Sequence, residues 1–169
     1  NNGTGRPVGD SDGDGMTIEE SILHPTRFSA RSASWVIRDG DVSLWSPRQK
    51  TVYDPCPVGY RVLDGGKSGF WAFALGATSE TYVNDVLNYE GVYLALADGT
   101  TAAWYPAVGF RTNSPGELSN VGSHGYCWSA SPTPSDIYNA YLLYFRNGRV
   151  YPATSDYRGY GFSVRCVRE

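Results

Sequence analysis

The apolar and polar positions of this chain fall into short runs separated by turn residues, and the second half reads as β-hairpins. Val92 to Ala97 and Thr100 to Tyr105 flank Asp98-Gly99, a two-residue turn of the type I′ kind. Tyr141 to Arg146 and Arg149 to Pro152 flank Asn147-Gly148, which gives the same signal. Alternation in the first arm points Leu143 and Phe145 one way and Leu142 and Tyr144 the other, with Leu143/Phe145 as the core face. The first half is richer in turns, with strand character at Trp35-Val-Ile37 and Val42-Ser-Leu-Trp45. Thr17-Ile-Glu-Glu20 predicts a capping box, and His24-Pro25 closes the short helix it opens. A second short helix is predicted from Gly69 to Leu75, stopped by Gly76. Residues 1–16, rich in Gly and Asp, read as a loose segment before one α+β domain over 17–169.

Composition narrows the classes. With 169 residues, 41% of them hydrophobic and 18% charged, the chain can bury one core, and its 5 Trp, 13 Tyr and 6 Phe exclude a disordered chain. The 20 Gly and 10 Pro argue against a helical bundle. A net charge of −3 offers no field for a phosphate backbone, so no nucleic-acid partner is expected. No apolar run reaches the length of a membrane span, and Asn1 without a signal-peptide pattern suits a mature fragment. Lys50 and Lys67 stand against twelve Arg, and Arg with Tyr and Trp is the residue set of binding hot spots. Cys56, Cys127 and Cys166 lie too far apart for a zinc knuckle; one disulfide plus one odd thiol suits a secreted or surface protein. Which two pair stays open at this point.

Motifs with chemistry are few. Asp10-Ser-Asp-Gly-Asp-Gly15 carries carboxylates at positions 1, 3 and 5 of a calcium loop, but Ser21 stands at the twelfth position and Glu20 falls one short. Asp10, Asp12 and Asp14 are therefore weak metal candidates; a solvated terminus before a capped helix accounts for them equally, and no cofactor is expected. His24 and His124 have no neighbours that form a metal or triad motif, and nucleophile-elbow, zinc and phosphate-loop signatures are absent, so no catalytic residue is assigned. One bias is specific. From Leu118 through Arg168 there is no Lys, Glu, Gln or Met, four types that total ten in the chain, while seven of the 13 Tyr fall there among Ser, Asn, Asp, Arg and Gly. That is the composition of an antibody paratope.

Tyr53-Asp-Pro-Cys-Pro-Val-Gly-Tyr-Arg-Val62, Trp104-Tyr-Pro-Ala-Val-Gly-Phe-Arg111, Gly125-Tyr-Cys-Trp-Ser129 and Gly161-Phe-Ser-Val-Arg-Cys-Val167 resemble the major paralogous domain of Fibrobacter and Bacteroides surface proteins. Thr17-Ile-Glu-Glu-Ser-Ile and His24-Pro-Thr match its opening segment, so the resemblance covers nearly the whole chain. It implies a C-type-lectin-like fold with two short helices, β-hairpins and long irregular loops. Many such domains resemble variable proteins of diversity-generating retroelements in gut bacteria and their phages. Those retroelements randomise the first two positions of AAC codons, which excludes Lys, Glu, Gln, Met and Trp and permits Asn, Asp, Ser, Tyr, Arg, Gly, Cys and Leu. Trp128 is then fixed scaffold and Cys127 a permitted random outcome.

The same resemblance pairs Cys56 with Cys166, both in scaffold motifs, and leaves Cys127 free. It assigns the core to Leu143, Phe145, Val150, Phe162, Val164 and Val167. The ligand-binding surface it implies comprises Cys127, Asp136, Leu142, Tyr144, Arg146, Asn147, Arg149, Tyr151, Ser155, Asp156, Tyr157, Gly159 and Tyr160. The calcium-site motifs Glu-Pro-Asn, Gln-Pro-Asp and Trp-Asn-Asp are missing; Val83-Asn-Asp85 lacks the Trp. The fold is also similar to formylglycine-generating enzymes, whose active-site cysteine arrangement has no counterpart here. The implied function is binding of a protein or glycan on a host or bacterial surface, by a domain that is secreted, surface-displayed or carried on a phage virion. The alternatives are a non-diversified surface or pilus-associated adhesin and, further off, a formylglycine-generating-enzyme-like or glycan-modifying enzyme.

Overall fold

Thr17 caps the first helix as its sequence predicts. In the computed structural model, which describes residues 16–24, 27–29, 33–35, 44–79, 81–82, 90–95, 99, 102–114 and 116–169, it precedes α1 (Ile18–Leu23). The Thr17 hydroxyl accepts the Glu20 amide at 3.0 Å, and the Glu20 carboxylate accepts the Thr17 amide at 2.8 Å. Met16 is buried and its amide donates to the Trp35 carbonyl at 3.1 Å. The rest of the N-terminal segment, with Asp10, Asp12 and Asp14, lies outside the described residues, as do Val36, Ile37, Val42, Ser43 and Val83 to Asp85. Leu44 and Trp45 are not in a strand. Trp45 instead donates its indole N–H to the Tyr53 carbonyl at 2.9 Å, which ties it to the turn before Cys56.

Short strand β1 (Tyr60–Val62) leads to α2 (Phe70–Leu75), which starts at Gly69 and stops at Gly76, where φ is 62°. A left-handed residue there lets the Gly76 amide return to the last helical turn, which only Gly does without a Cβ penalty. Strand β2 (Thr81–Tyr82) is followed by the hairpin of β3 (Gly91–Ala95) and β4 (Ala102–Pro106). Its register, Gly91↔Pro106 to Ala95↔Ala102, is the one a two-residue turn at Asp98-Gly99 sets. Strands β5 (Phe110–Arg111) and β6 (Leu118–Ser119) pair with each other. The long strands come last: β7 (His124–Pro132), β8 (Asn139–Arg146) and β9 (Arg149–Tyr157), then β10 (Ser163–Val164) and β11 (Cys166–Arg168).

The main sheet has the order β10-β7-β8-β9-β2, with β10 parallel to β7 and the other pairs antiparallel. Among the described residues the fold is α+β, mostly strand, with no barrel. Asn147 and Gly148 both have positive φ (44° and 74°), the type I′ turn their sequence announces, and Arg146 pairs with Arg149 across it. On the inner face of the sheet Cys127, Leu143, Phe145 and Val150 pack with Trp71 of α2 and with Val92, Leu94 and Tyr105 of the hairpin. The Trp71 indole donates to the Tyr105 hydroxyl at 3.1 Å, so the polar atoms of both buried rings are satisfied. Val167 packs against this cluster as expected, but Val164 is exposed, and Phe162 lies on the opposite face of the sheet. Both depart from the predicted core: Val164 lies on a two-residue edge strand and stays 36% exposed, and Phe162, just before it, packs on Tyr126 and Trp128.

A second cluster surrounds the Cys56–Cys166 disulfide, with Val62, Ala130 and Trp45. Asp54 organises it. Its carboxylate accepts the amides of Cys56 (2.9 Å) and Val62 (3.0 Å) and the Lys50 ammonium (3.1 Å). Burial pushes the Asp54 pKa up, but the bonds from Val62, Cys56 and Lys50 together outweigh it and hold it below its ordinary 3.8. A lowered carboxylate pKa gives stability that is complete above the ordinary value and lost as pH falls through the folded one. Asp54→Asn is therefore expected to cost ~2 kcal/mol at neutral pH. The gap from wild type should close as pH falls through the lowered folded-state pKa of Asp54. Thermal midpoints measured down the pH scale check this; a gap that stays constant would show that the charge on Asp54 contributes nothing.

Candidate functional site

Alternation on β7 sends Gly125 and Cys127 inward and His124, Tyr126 and Trp128 outward. Gly125 is required, because a Cβ there would overlap the Phe145 ring of the facing strand. The register then builds outward rows across three strands. His124, Arg146 and Arg149 form one row, Tyr126, Tyr144 and Tyr151 the next, and Trp128, Leu142 and Thr154 the third. The middle row is a continuous stack, with ring centroids 4.9 Å apart between Tyr126 and Tyr144 and 5.1 Å between Tyr144 and Tyr151. Parallel β10 extends it, since Phe162 stacks on Tyr126 at 4.8 Å and Tyr160 on Phe162 at 5.4 Å. Phe110 packs edge-on against Phe162 and Tyr160. The result is a tyrosine-rich ladder across the sheet, each such ring pair contributing ~0.5–1.5 kcal/mol beyond its burial.

The charged groups sit at its ends. The Arg146 guanidinium lies 5.9 Å from the Tyr144 ring centre. His124 stacks on Tyr144 and Tyr126, and burial first, then Arg146, lower its pKa, so at neutral pH the ring is uncharged. Burial, with Tyr126 close by, raises the Tyr144 phenol to about 12, which keeps it a hydrogen-bond donor across the physiological range. At the other end burial raises Asp156, opposed by the Tyr157 amide that donates to it at 2.8 Å. Burial, then Asp156, raises Tyr160. The ladder thus runs from Arg146 and Arg149 beside the turn toward Asp156 at the far end of β9.

Of the residues assigned to the surface from sequence, Tyr144, Arg146, Arg149, Tyr151, Asp156 and Tyr160 are brought to this face or its rim, and Asn147 is exposed at the adjacent turn. The others are not. Leu142 does point outward, but it is only 2% exposed. It lies between Trp128 and Thr154 at the end where Trp128 donates to the Tyr160 carbonyl (3.3 Å) and packs at a tilt against Phe162. Cys127 is 4% exposed on the inner face, and burial raises its thiol to about 12, so it is a free but inert core sulfur. Gly159 is buried in the turn between Tyr157 and Tyr160. Ser155 and Tyr157 are exposed but pair with Tyr141 and Asn139, outside the row of Asp156. Asp136 shapes its own turn, accepting the Tyr138 amide (2.8 Å) and the Asn139 side chain (3.0 Å).

Tyr126, Phe162 and His124 also belong to the face; the sequence reading placed Phe162 in the core and gave Tyr126 and His124 no place on the binding surface. Tyr126 was readable, since in Gly125-Tyr-Cys-Trp it shares parity with Trp128. The Ser123 hydroxyl lies 2.8 Å from His124 Nδ1 and 3.0 Å from the Asn120 carbonyl. The tautomer of His124 decides which of them takes the serine proton. A separate cleft of about 200 Å³ lies at the far end of the sheet, walled by Trp35, Trp45, Trp128 and Arg158. Among the described residues no group of three or more His, Cys, Asp or Glu could hold a metal ion, and no helix is long and apolar enough to cross a membrane. Comparison with protein-family models, curated proteins and solved structures finds no match to this chain.

Proposed function

We propose that this is a ligand-binding domain of the C-type-lectin-like kind, whose working surface is the outer face of β7, β8 and β9, diversified by a retroelement. The observation that carries the reading is the two-sided build of that sheet. The inner side chains Cys127, Leu143, Phe145 and Val150 make the core, while Tyr144, Arg146, Arg149, Tyr151 and Asp156 stand on the other side. Every one of these outer residues falls in the stretch without Lys, Glu, Gln or Met. A strand platform holds such side chains in place without needing any of them for folding. Tyr and Arg there supply contact area and hydrogen bonds at low entropic cost, as in a paratope. The partner is a protein or glycan on a host or bacterial surface.

Two results test this. Sequencing beside the gene should reveal a near copy of the segment for residues 118–168 that differs at adenines only. Without one, a fixed surface adhesin is the better reading. Serine at Arg146, Arg149 and Asp156 should move the thermal midpoint by ~2 °C or less, as exposed positions do. Tyr144→Ser and Tyr151→Ser, which interrupt ring contacts, should cost ~1 kcal/mol. A collapse of the fold at any of the five would show the face to be structural.

A further inference from the structure

We infer that Asp54 and the carbonyls of Cys56 and Tyr60 form a cation site that the Lys50 ammonium fills as a tethered ion. A free ammonium or potassium ion takes the site when that side chain is shortened. This is independent of the reading of the outer face.

Three oxygens converge on the Lys50 nitrogen: Asp54 Oδ1 at 3.1 Å, the Cys56 carbonyl at 2.5 Å and the Tyr60 carbonyl at 2.9 Å. An ammonium has three N–H donors and no acceptor, so donors and acceptors match one to one. The chain itself places the oxygens. The Asp54 carboxylate is set by the Cys56 and Val62 amides that donate to it. The Tyr60 amide turns back to the Pro57 carbonyl at 3.0 Å, and the Tyr60 carbonyl faces the lysine. The Cys56–Cys166 bridge holds one wall of the cage to β11.

The residue choice fits an ion site. The chain uses twelve Arg and only two Lys, Lys50 and Lys67. A planar guanidinium spreads its donors and cannot meet oxygens that converge on one point, whereas a compact ammonium can. The Asp54 side chain is 0% exposed and that of Lys50 is 23% exposed. The carboxylate depends on a cation at this spot, because a buried charge left alone is strongly destabilising. The partial exposure of Lys50 gives a small ion a way in from solvent. Calcium fits poorly, since it takes six to eight oxygens at ~2.3–2.6 Å, and the one carboxylate of the cage already holds two amides. Potassium is close to ammonium in size and is readily held by carbonyl oxygens.

The test uses the whole oxidised chain with Lys50→Ala, which opens the cage, and Lys50→Met, which fills it with an uncharged chain. Both should lose roughly 10 °C in thermal midpoint in tetramethylammonium chloride, whose cation is too large to enter. Exchange for ammonium or potassium chloride should raise the Lys50→Ala midpoint by about 3–6 °C once the ion stands tenfold above its Kd. Wild type and Lys50→Met should not move, and adding Asp54→Asn to Lys50→Ala should abolish the rise. If Lys50→Ala does not fold in tetramethylammonium, its refolding yield in the two salts is read instead; a higher yield in ammonium supports the site and equal yields overturn it. No rise in Lys50→Ala up to about 1 M salt, or an equal rise in Lys50→Met, also overturns it. So does a loss under about 2 °C in Lys50→Ala, which would show that Asp54 needs no cation. A larger rise with calcium than with ammonium overturns the assignment to a monovalent ion.

Discussion

Replacing Cys56 and Cys166 together by serine is expected to lower stability by about 4–5 kcal/mol in the chain-entropy model, because the bridge closes a loop across a sequence separation of 110. For a domain of this size that is a fall of roughly 10–15 °C in thermal midpoint. The effect is local as well as entropic. The bridge ties Cys56 to β11, whose Val167 and Cys166 pair with Arg61 and Val62 of β1, and its sulfurs are packed with Ala130 and Trp45. The variant therefore also leaves polar hydroxyls among apolar neighbours. Cys127→Ala, which removes a buried sulfur but no crosslink, should cost only ~1 kcal/mol. Urea unfolding of the two variants separates the terms. A double serine variant no less stable than Cys127→Ala would mean that the bridge does not restrain the unfolded chain as supposed.

The hairpins, both helices and the inner face of β8 were legible in the sequence because each is fixed by local signals: turn dipeptides, a capping box, a stop glycine and period-two alternation. The outer face was legible only where alternation runs unbroken. Between Leu142↔Thr154 and Tyr144↔Tyr151 the register slips, so Leu143 faces both Pro152 and Ala153. Plain alternation along β9 would group Ser155 and Tyr157 with Tyr151. The bulge puts Thr154 and Asp156 there instead, and no residue type announces it. Leu142 failed for another reason. Alternation says which face a side chain takes, not whether that face is covered, and here Trp128 and the chain through Tyr160 and Phe162 come from outside the hairpin. Parallel pairing of β10 with β7 joins segments more than thirty residues apart, a non-local event that period and turn chemistry do not encode. The disulfide partners likewise came from the family resemblance, as three cysteines leave the pairing open.

Phe145→Ala should cost ~3–5 kcal/mol, whereas Arg146→Ser, one residue on, should stay within ~0.5 kcal/mol. The difference follows from the faces alone. Phe145 is buried in the main cluster with Trp71, Leu143 and Val150, and its ring occupies the space above Gly125 that a side chain on β7 would otherwise fill. Truncation leaves a void that Gly125 cannot close, so the upper part of that range applies. Arg146 ends the same strand on the opposite side, exposed, with an aromatic ring beneath it and no ion pair among the described residues to lose. Denaturant midpoints of the two variants, with unchanged slopes, measure the contrast. Comparable losses at both positions would mean that core and outer face are one energetic unit. A surface of that kind could not be varied freely, and the platform reading of the sheet would have to be abandoned.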